Sequence, residues 1–256
     1  MKWGAEAIWQ AVVPLVPGFS IDILPAIDST NSELMRRVRA GQIDPVLLVA
    51  ERQTAGRGRL GRSWISEVEG VGASLTFSLG MPLAPGNWSG LSLAVGVSVA
   101  QSLHPNLQLK WPNDIWLQGR KLGGILIETA SLGEQRYVVI GIGLNIMPRE
   151  WAGVGTGLST PPAWLQEVQP GMDAAMALQR LVEPLVRAVQ QFEQHGFAPF
   201  QAGFSRLDLL AGRSITLSDG SIAQALGVDE QGGLRVRGPQ GLQTISSSEV
   251  SVRPVA

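Results

Sequence analysis

The chain of 256 residues carries 21 acidic and 20 basic side chains, no cysteine and two histidines. That length suits one large domain, or a moderate one with a small companion, and the near-neutral charge argues against a protein held to nucleic acid by a broad positive field. Without cysteine there is no disulfide framework, thiolate nucleophile or cysteine-built zinc site, and the widely separated His104 and His195 are weak material for a metal site or a Ser-His-Asp arrangement.

In chain order, MKWGAEAIWQAVVPLVPGF is interrupted by Glu6, Gln10 and Pro14 and is followed by no small-residue cleavage site. It reads as a mature N-terminal extension over residues 1–20, not as a signal peptide. Next, SIDILPAIDSTNSELMRRVRAG predicts a short extended piece and then a helix. Thr30 and Glu33 have capping-box spacing, Gly41 suits the position just past the helix end, and Leu34, Met35 and Val38 can share its buried side. PVLLVAE reads as a strand that runs into QTAGRGRLGRSW at 53–64, where three arginines stand among three glycines. GASLTFSLG is a further strand and NWSGLSLAVGVSVAQSL a helix whose apolar run falls well short of the roughly 20 residues a membrane span needs. LQLKW begins another strand, IWL and GILIE flank the turn QGRK as a hairpin, and YVVIGIGLNI is a strand whose glycines permit close backbone approach. Residues 172–195 have helical periodicity, with Pro184 expected to kink the helix or divide it. Beyond about residue 210 the texture changes to short alternating segments between DG, EQGG and GPQG turns. The pattern predicts an α/β (α+β) domain with a mixed sheet over 21–209 and a small all-β module of four or five strands over 210–256.

Several stretches can carry chemistry, and each also has a plain structural reading. AGRGRLGR fits neither GxxxxGK[ST] nor a GxGxxG that opens a helix, so it is a solvated loop or an anion-binding lid of backbone amides and guanidinium forks. Trp64 adds a flat apolar surface against which a base or ring can pack. In KWPNDIWLQGRKLGGILIE, Asp114 is either a turn former or an oxygen ligand for Mg²⁺, while Lys121 is either solvated at a hairpin tip or poised to offset charge on a carboxylate and a phosphate. DSTN at 28–31 serves as a helix cap or as a helix N-terminus that binds a small polar head group, and GIGLN at 141–145 is a buried strand end or brings Asn145 to a nucleotide.

DSTN, ERQTAGRGRLGRSW, KWPNDIWLQGRKLGGILIE and GIGLNI, in that order and at these separations, resemble the catalytic domain of bacterial-type biotin–protein ligases over most of residues 25–150. The module after 210 is similar to that family's small C-terminal SH3-like β-barrel. The resemblance implies an ATP-dependent biotin–[acetyl-CoA-carboxylase] ligase, with ATP and biotin as substrates and Mg²⁺ as cofactor. Such an enzyme makes biotinyl-5′-AMP and passes biotin to a lysine of a biotin carboxyl carrier protein; a lipoate or octanoate ligase is the alternative. Ser29, Thr30, Asn31 and Gln53 would then contact biotin, Arg57, Gly58 and Arg59 would order over biotin and phosphate, and Gly124 would present backbone to biotin. Lys121 would contact the carboxylate and α-phosphate, with Lys121, Arg57, Arg59 and Asp114 as the catalytic set. Arg59, Arg62, Trp64, Lys110, Asn113, Asp114 and Asn145 would form the nucleotide side, with Asp114 the metal ligand. Family members that repress transcription carry an N-terminal winged-helix domain, whereas about twenty residues precede the catalytic region here. The expectation is a cytoplasmic ligase with no DNA or membrane partner, and with a homodimer as one option for its assembly.

Overall fold

A computed structural model describes residues 2–64, 72–148 and 162–246, together with the backbone of 253–254. Parts of both expected domains, residues 65–71, 149–161, 247–252 and 255–256, lie outside the described residues. Helix α1 (Ala5–Val12) leads to strand β1 (Ser20–Leu24), helix α2 (Thr30–Arg39) and strand β2 (Val46–Ala50). After the arginine-glycine loop come β3 (Ser74–Pro82), α3 (Leu91–Leu103), β4 (Gln108–Lys110), β5 (Asp114–Leu117), β6 (Arg120–Leu132) and β7 (Gln135–Asn145). These strands form a seven-stranded sheet in the order β1-β2-β3-β7-β6-β5-β4. The β1–β2 pair, joined through α2, is parallel and the other pairings are antiparallel, so the expected mixed sheet is present.

Helices cover both faces of this sheet. Leu34 and Val38 of α2 pack on Val46, Leu48, Tyr137 and Val139 to make a small core on one side. On the other side α3 is apolar nearly all round and is buried between the sheet and α4 (Ala174–His195), as a helix without a polar face must be. The expected extension over 1–20 joins this larger core: Trp3, Ile8, Val12, Val16 and Phe19 are all buried in it. Of the kink or division expected at Pro184, the division does not occur: α4 is one helix from Ala174 to His195. Pro184 and Arg180 are both exposed, so the ring and the carbonyl deprived of its partner face water, where the missing bond costs least. The cap of α2 is Ser29, one residue before the Thr30 expected from spacing, and its side chain accepts from the Ser32 N–H at 3.4 Å. Gln118 and Gly119, both at positive φ (49° and 76°), close the β5–β6 hairpin as a two-residue turn of the kind that matches strand twist.

Helix α5 (Ala198–Leu207) leads into β8 (Ser214–Thr216), β9 (Ile222–Val228), β10 (Leu234–Gly238), β11 (Gly241–Ile245) and β12 (Arg253–Pro254). These form an antiparallel sheet in the order β11-β10-β9-β8-β12. Its buried side, including Ile215, Ala225, Leu234 and Val236, is continuous with the main core. The turn before β10 reaches the first domain, where Trp111 donates its indole N–H to the Gly232 carbonyl at 3.0 Å. A methyl at Gly232 would stand 2.7 Å from the Gly90 Cα, so only glycine allows these backbones to meet. The module thus braces the segment just before Asn113 and Asp114.

Candidate active site

Strand register sets the floor of the site. Directly opposed residues on neighbouring strands point to the same face. Pairing puts Ala50, Thr76, Gly143, Gly124, Asp114 and Lys110 in one row across the sheet. A second row runs Leu48, Ser78, Gly141 and Leu126, with Glu128 the next β6 residue on this side, opposite Val139. The second row lies under α2: Leu48 and Val139 pack with Leu34 and Val38, and Ser78 and Gly141 lie against Thr30 and Asn31 at the helix N-terminus. Small residues at the centre and charged ones at one end make a trough bounded by cations.

One end of the trough is a buried polar network. Thr30, Asn31, Gln53 and Ser78 are each at most 6% exposed. The Thr30 N–H donates to Gln53 Oε1 at 2.7 Å, and the Thr30 hydroxyl lies 3.1 Å from the same oxygen. Ser78 Oγ stands 2.7 Å from Thr30 Oγ1 and donates to Asn31 Oδ1 at 2.6 Å. Asn31 Nδ2 donates to the Leu126 carbonyl at 3.2 Å and to Glu128 Oε2 at 2.9 Å, which commits both its hydrogens. A methyl at Gly141 would fall 2.1 Å from Asn31 Oδ1, so the glycine is what lets this amide sit on the sheet. Buried polar groups are tolerated when paired in this way, and the network holds its members rigidly.

Charges gather at the other end. Lys121 Nζ donates to Asp114 Oδ1 at 2.6 Å across the β5–β6 hairpin, and a Cβ built on Gly124 would lie 3.5 Å from Lys121 Nζ and 3.8 Å from Asp114 Oδ1. Lys110 lies over the Trp116 ring at 5.1 Å. Arg59 Nη1 donates to Asn113 Oδ1 at 3.3 Å, and Asn113 is fixed in turn by donating to the Ile125 carbonyl at 2.7 Å. Burial pushes the Arg59 guanidinium below its ordinary pKa; the Asp114 carboxylate opposes that shift and the Arg62 cation adds to it. Arg59, Arg62 and Asp114 are therefore within electrostatic reach of one another. Asn145 is buried at the carboxyl end of β7, opposite Ser74.

The loop 53–64 spans the two ends. The Gly58 N–H donates to the Arg62 carbonyl at 2.7 Å and the Trp64 N–H to the Gly56 carbonyl at 2.8 Å. The Trp64 indole rests on β7, since a methyl at Gly143 would stand 2.5 Å from its Cε2. Arg57 does not join the charged end: its Nη2 reaches Glu128, about 13 Å along β6 from Gly124 at the usual strand rise. On the opposite face of β6, an open cleft of about 390 Å³ is lined by Arg59, Trp88, Ser92, Asn113, Ile127 and Thr129. Arg59 and Asn113 thus stand between trough and cleft.

The sites expected from sequence fall into three groups, Ser29, Thr30, Asn31 and Gln53 around the α2 N-terminus, Arg57, Gly58, Arg59, Arg62 and Trp64 in the loop, and Lys110, Asn113, Asp114, Lys121 and Gly124 around the hairpin, with Asn145 apart at the end of β7. Sequence reasoning missed Ser78 and Glu128. For Glu128 a signal existed: GILIE places a carboxylate in an apolar strand, in phase with Gly124.

Comparison with known proteins gives this geometry its context. The model of the biotin/lipoate A/B protein ligase family matches residues 23–145, and that of the biotin protein ligase C-terminal domain matches 212–253. The bifunctional ligase/repressor BirA of Escherichia coli is 36% identical, over 95% of this chain and 77% of that protein. The chain belongs to the biotin protein ligase family. A biotin–[acetyl-CoA-carboxylase] ligase of Paracoccus denitrificans is 32% identical, over 89% of this chain and 98% of that protein. The biotin protein ligase of Aquifex aeolicus, solved in complex with biotin and ATP, is similar at a TM-score of 0.75 and 28% identity, covering 92% of this chain and 99% of that one. Among the described residues no helix is long and apolar enough to cross a membrane, and no group of three or more His, Cys, Asp or Glu is arranged to hold a metal.

Proposed function

We propose that the trough binds biotin, that its charged end joins the biotin carboxylate to AMP, and that the product is delivered to a lysine of the carrier protein of acetyl-CoA carboxylase. The reaction is that of an ATP-dependent biotin–[acetyl-CoA-carboxylase] ligase. A carboxylate oxygen attacks the α-phosphorus of ATP, a P–O bond forms and pyrophosphate leaves. The acceptor amine then attacks the carbonyl of biotinyl-5′-AMP, an amide bond forms and AMP leaves with its electron pair. No enzyme nucleophile is needed, in keeping with a chain that has no cysteine.

The register row that runs from Thr76 through Gly143 and Gly124 to Asp114 and Lys110 carries this reading. It supports a flat ligand lying over Gly124 beside the Trp64 indole that covers Gly143, with its polar head near Thr30 and Gln53 and its carboxylate near Lys121. A ureido ring needs several fixed hydrogen-bonding groups where a plain acyl chain needs none, and the buried hydroxyl and amide network suits biotin over lipoate or octanoate. Lys121 and Arg59 supply positive charge where negative charge develops. Asn113 positions Arg59 through its Oδ1. Arg62, Lys110 and Asn145 complete the nucleotide side of the proposal.

Asp114 suits magnesium: Oδ1 is engaged by Lys121, which leaves Oδ2, and this ion typically takes one or two carboxylates together with phosphate oxygens and water. When bound there it would offset phosphate charge. The balance of 21 acidic against 20 basic residues supports a ligase without operator binding, and the absence of cysteine fits a cytoplasmic site; a homodimer is the assembly carried with this reading. Purified protein with ATP and Mg²⁺ should release pyrophosphate only when biotin is added and should then label a biotin carboxyl carrier domain. Equal or greater release with lipoate or octanoate would remove biotin from the proposal.

A further inference from the structure

Arg57 and Asn31 come from different elements, the arginine-glycine loop and α2, yet both end on one carboxylate. Glu128 Oε2 accepts from Asn31 Nδ2 at 2.9 Å and from Arg57 Nη2 at 2.6 Å, while Oε1 accepts from the same Arg57 nitrogen at 2.8 Å. We propose that Glu128 is a positioning residue, the fixed half of a latch that closes the 53–64 loop over the head-group end of the trough. This deepens the biotin reading and rests on it.

Three observations support the latch. Glu128 is itself held in place, because it sits mid-strand on β6 and is tied to an Asn31 that Ser78 and the Leu126 carbonyl already clamp. Arg57 is the more exposed half: its side chain is 45% exposed against 25% for Glu128, and it stands between the loop's ties at Thr54 and Ala55, whose N–H groups donate to the Ile27 and Asp28 carbonyls, and at Arg59, which donates to Asn113. Only one guanidinium nitrogen is engaged with Glu128, unlike a fork-on-fork pair, so the contact can be broken without dismantling the buried network. An ion pair so exposed contributes little to folding, which leaves the position of the loop as what it controls. Breaking it should hasten escape of ligand while the reacting end, about 13 Å away along β6, keeps its geometry.

The test measures dissociation of biotin and of biotinyl-5′-AMP, and single-turnover adenylation at saturating biotin and ATP, for wild type, Glu128→Gln, Arg57→Ala and the double variant. Each single change should speed dissociation of both ligands about threefold to tenfold and the double variant no further, and in Glu128→Gln adenylation should stay within about twofold of wild type. Glu128→Asp, too short to reach both donors, should restore part of the loss. Dissociation at the wild-type rate from folded Glu128→Gln protein would overturn the latch, as would fully additive effects or an adenylation rate that falls in step with retention. Should Glu128→Gln fail to fold, Arg57→Gln breaks the same contact from the solvent side and carries the same expectation for dissociation. Wild-type protein that makes no biotinyl-5′-AMP would refute the underlying biotin reading, whereas normal adenylation with unchanged retention in the variants refutes the latch alone.

Discussion

The two ends of the trough are built on opposite principles. Around Thr30, Asn31, Gln53 and Ser78 the polar groups are buried and already bonded to one another, so the shape of that end exists before any ligand arrives. Around Lys121, Asp114, Arg59 and Asn113 the groups are partly exposed: Lys121 is bonded to Asp114, and Arg59 to an Asn113 that also donates to the Ile125 carbonyl. Such pairs can trade partners: Lys121 has three donors and spends one on Asp114, and the others can meet a carboxylate or phosphate. Recognition here depends on rigidity, and the chemistry on charges that remain exchangeable.

The largest expected effect breaks the charged end. Lys121→Ala removes the cation that stands 3.5 Å from a Cβ built on Gly124, and adenylation in a single turnover should fall by about two orders of magnitude. A pyrophosphate burst at the wild-type rate would show that the hairpin does not carry the reacting end. A smaller effect comes from overfilling the rigid end. Gly141→Ala places a methyl 2.1 Å from Asn31 Oδ1, so Asn31 must move; such overpacking costs about 1–3 kcal/mol. Melting temperature and biotin KM should both worsen, with adenylation at saturation largely kept, and an unchanged biotin KM would show that Asn31 has freedom the network denies it.

The smallest effect sharpens the border between the ends. Asp28, the first residue of DSTN, has its pKa held down at about 2, chiefly by the hydrogen bond from Arg36. A folded pKa below the unfolded value of about 3.9 stabilises the protein above that value, and the contribution is lost as pH falls towards 2. Asp28 is 42% exposed, so solvent screening keeps the gain under about 1 kcal/mol. Asp28→Asn should therefore lower the melting temperature slightly at pH 7, and the gap should close as the pH drops below about 4. A gap that persists in acid would mean that Arg36 acts through something other than this charge.

Much of this was legible along the chain, and what was not has identifiable causes. The QGRK hairpin could be read because Gln118 and Gly119 specify a local turn, as could the turns of the last module, where Gly220, Gly232 and Gly241 all take positive φ. The charged end was legible because Asp114 and Lys121 lie seven residues apart on one hairpin. The rigid end was only half legible: its partners meet through the sheet, Ser78 and Asn31 being 47 residues apart and Arg57 and Glu128 71. No local periodicity announces such contacts. Helix α1 was missed for a similar reason, since its place is decided by packing on α4 and its short, proline-flanked sequence gives little propensity signal. Pro184 shows the converse, a strong local signal overridden because the disrupted carbonyl is at the surface.

Biotin affinity measured by calorimetry without nucleotide, for Thr30→Val and Lys121→Ala beside wild type, tests the division between the two ends most directly. Thr30→Val removes a hydroxyl from the buried network and should weaken biotin about tenfold or more, because buried Gln53 Oε1 and Ser78 Oγ each lose one hydrogen-bond partner where water cannot replace it. Lys121→Ala removes one partly exposed cation and should weaken biotin less than about fivefold, despite its far larger effect on adenylation. The reverse order, with Lys121→Ala losing biotin and Thr30→Val keeping it, would contradict the account.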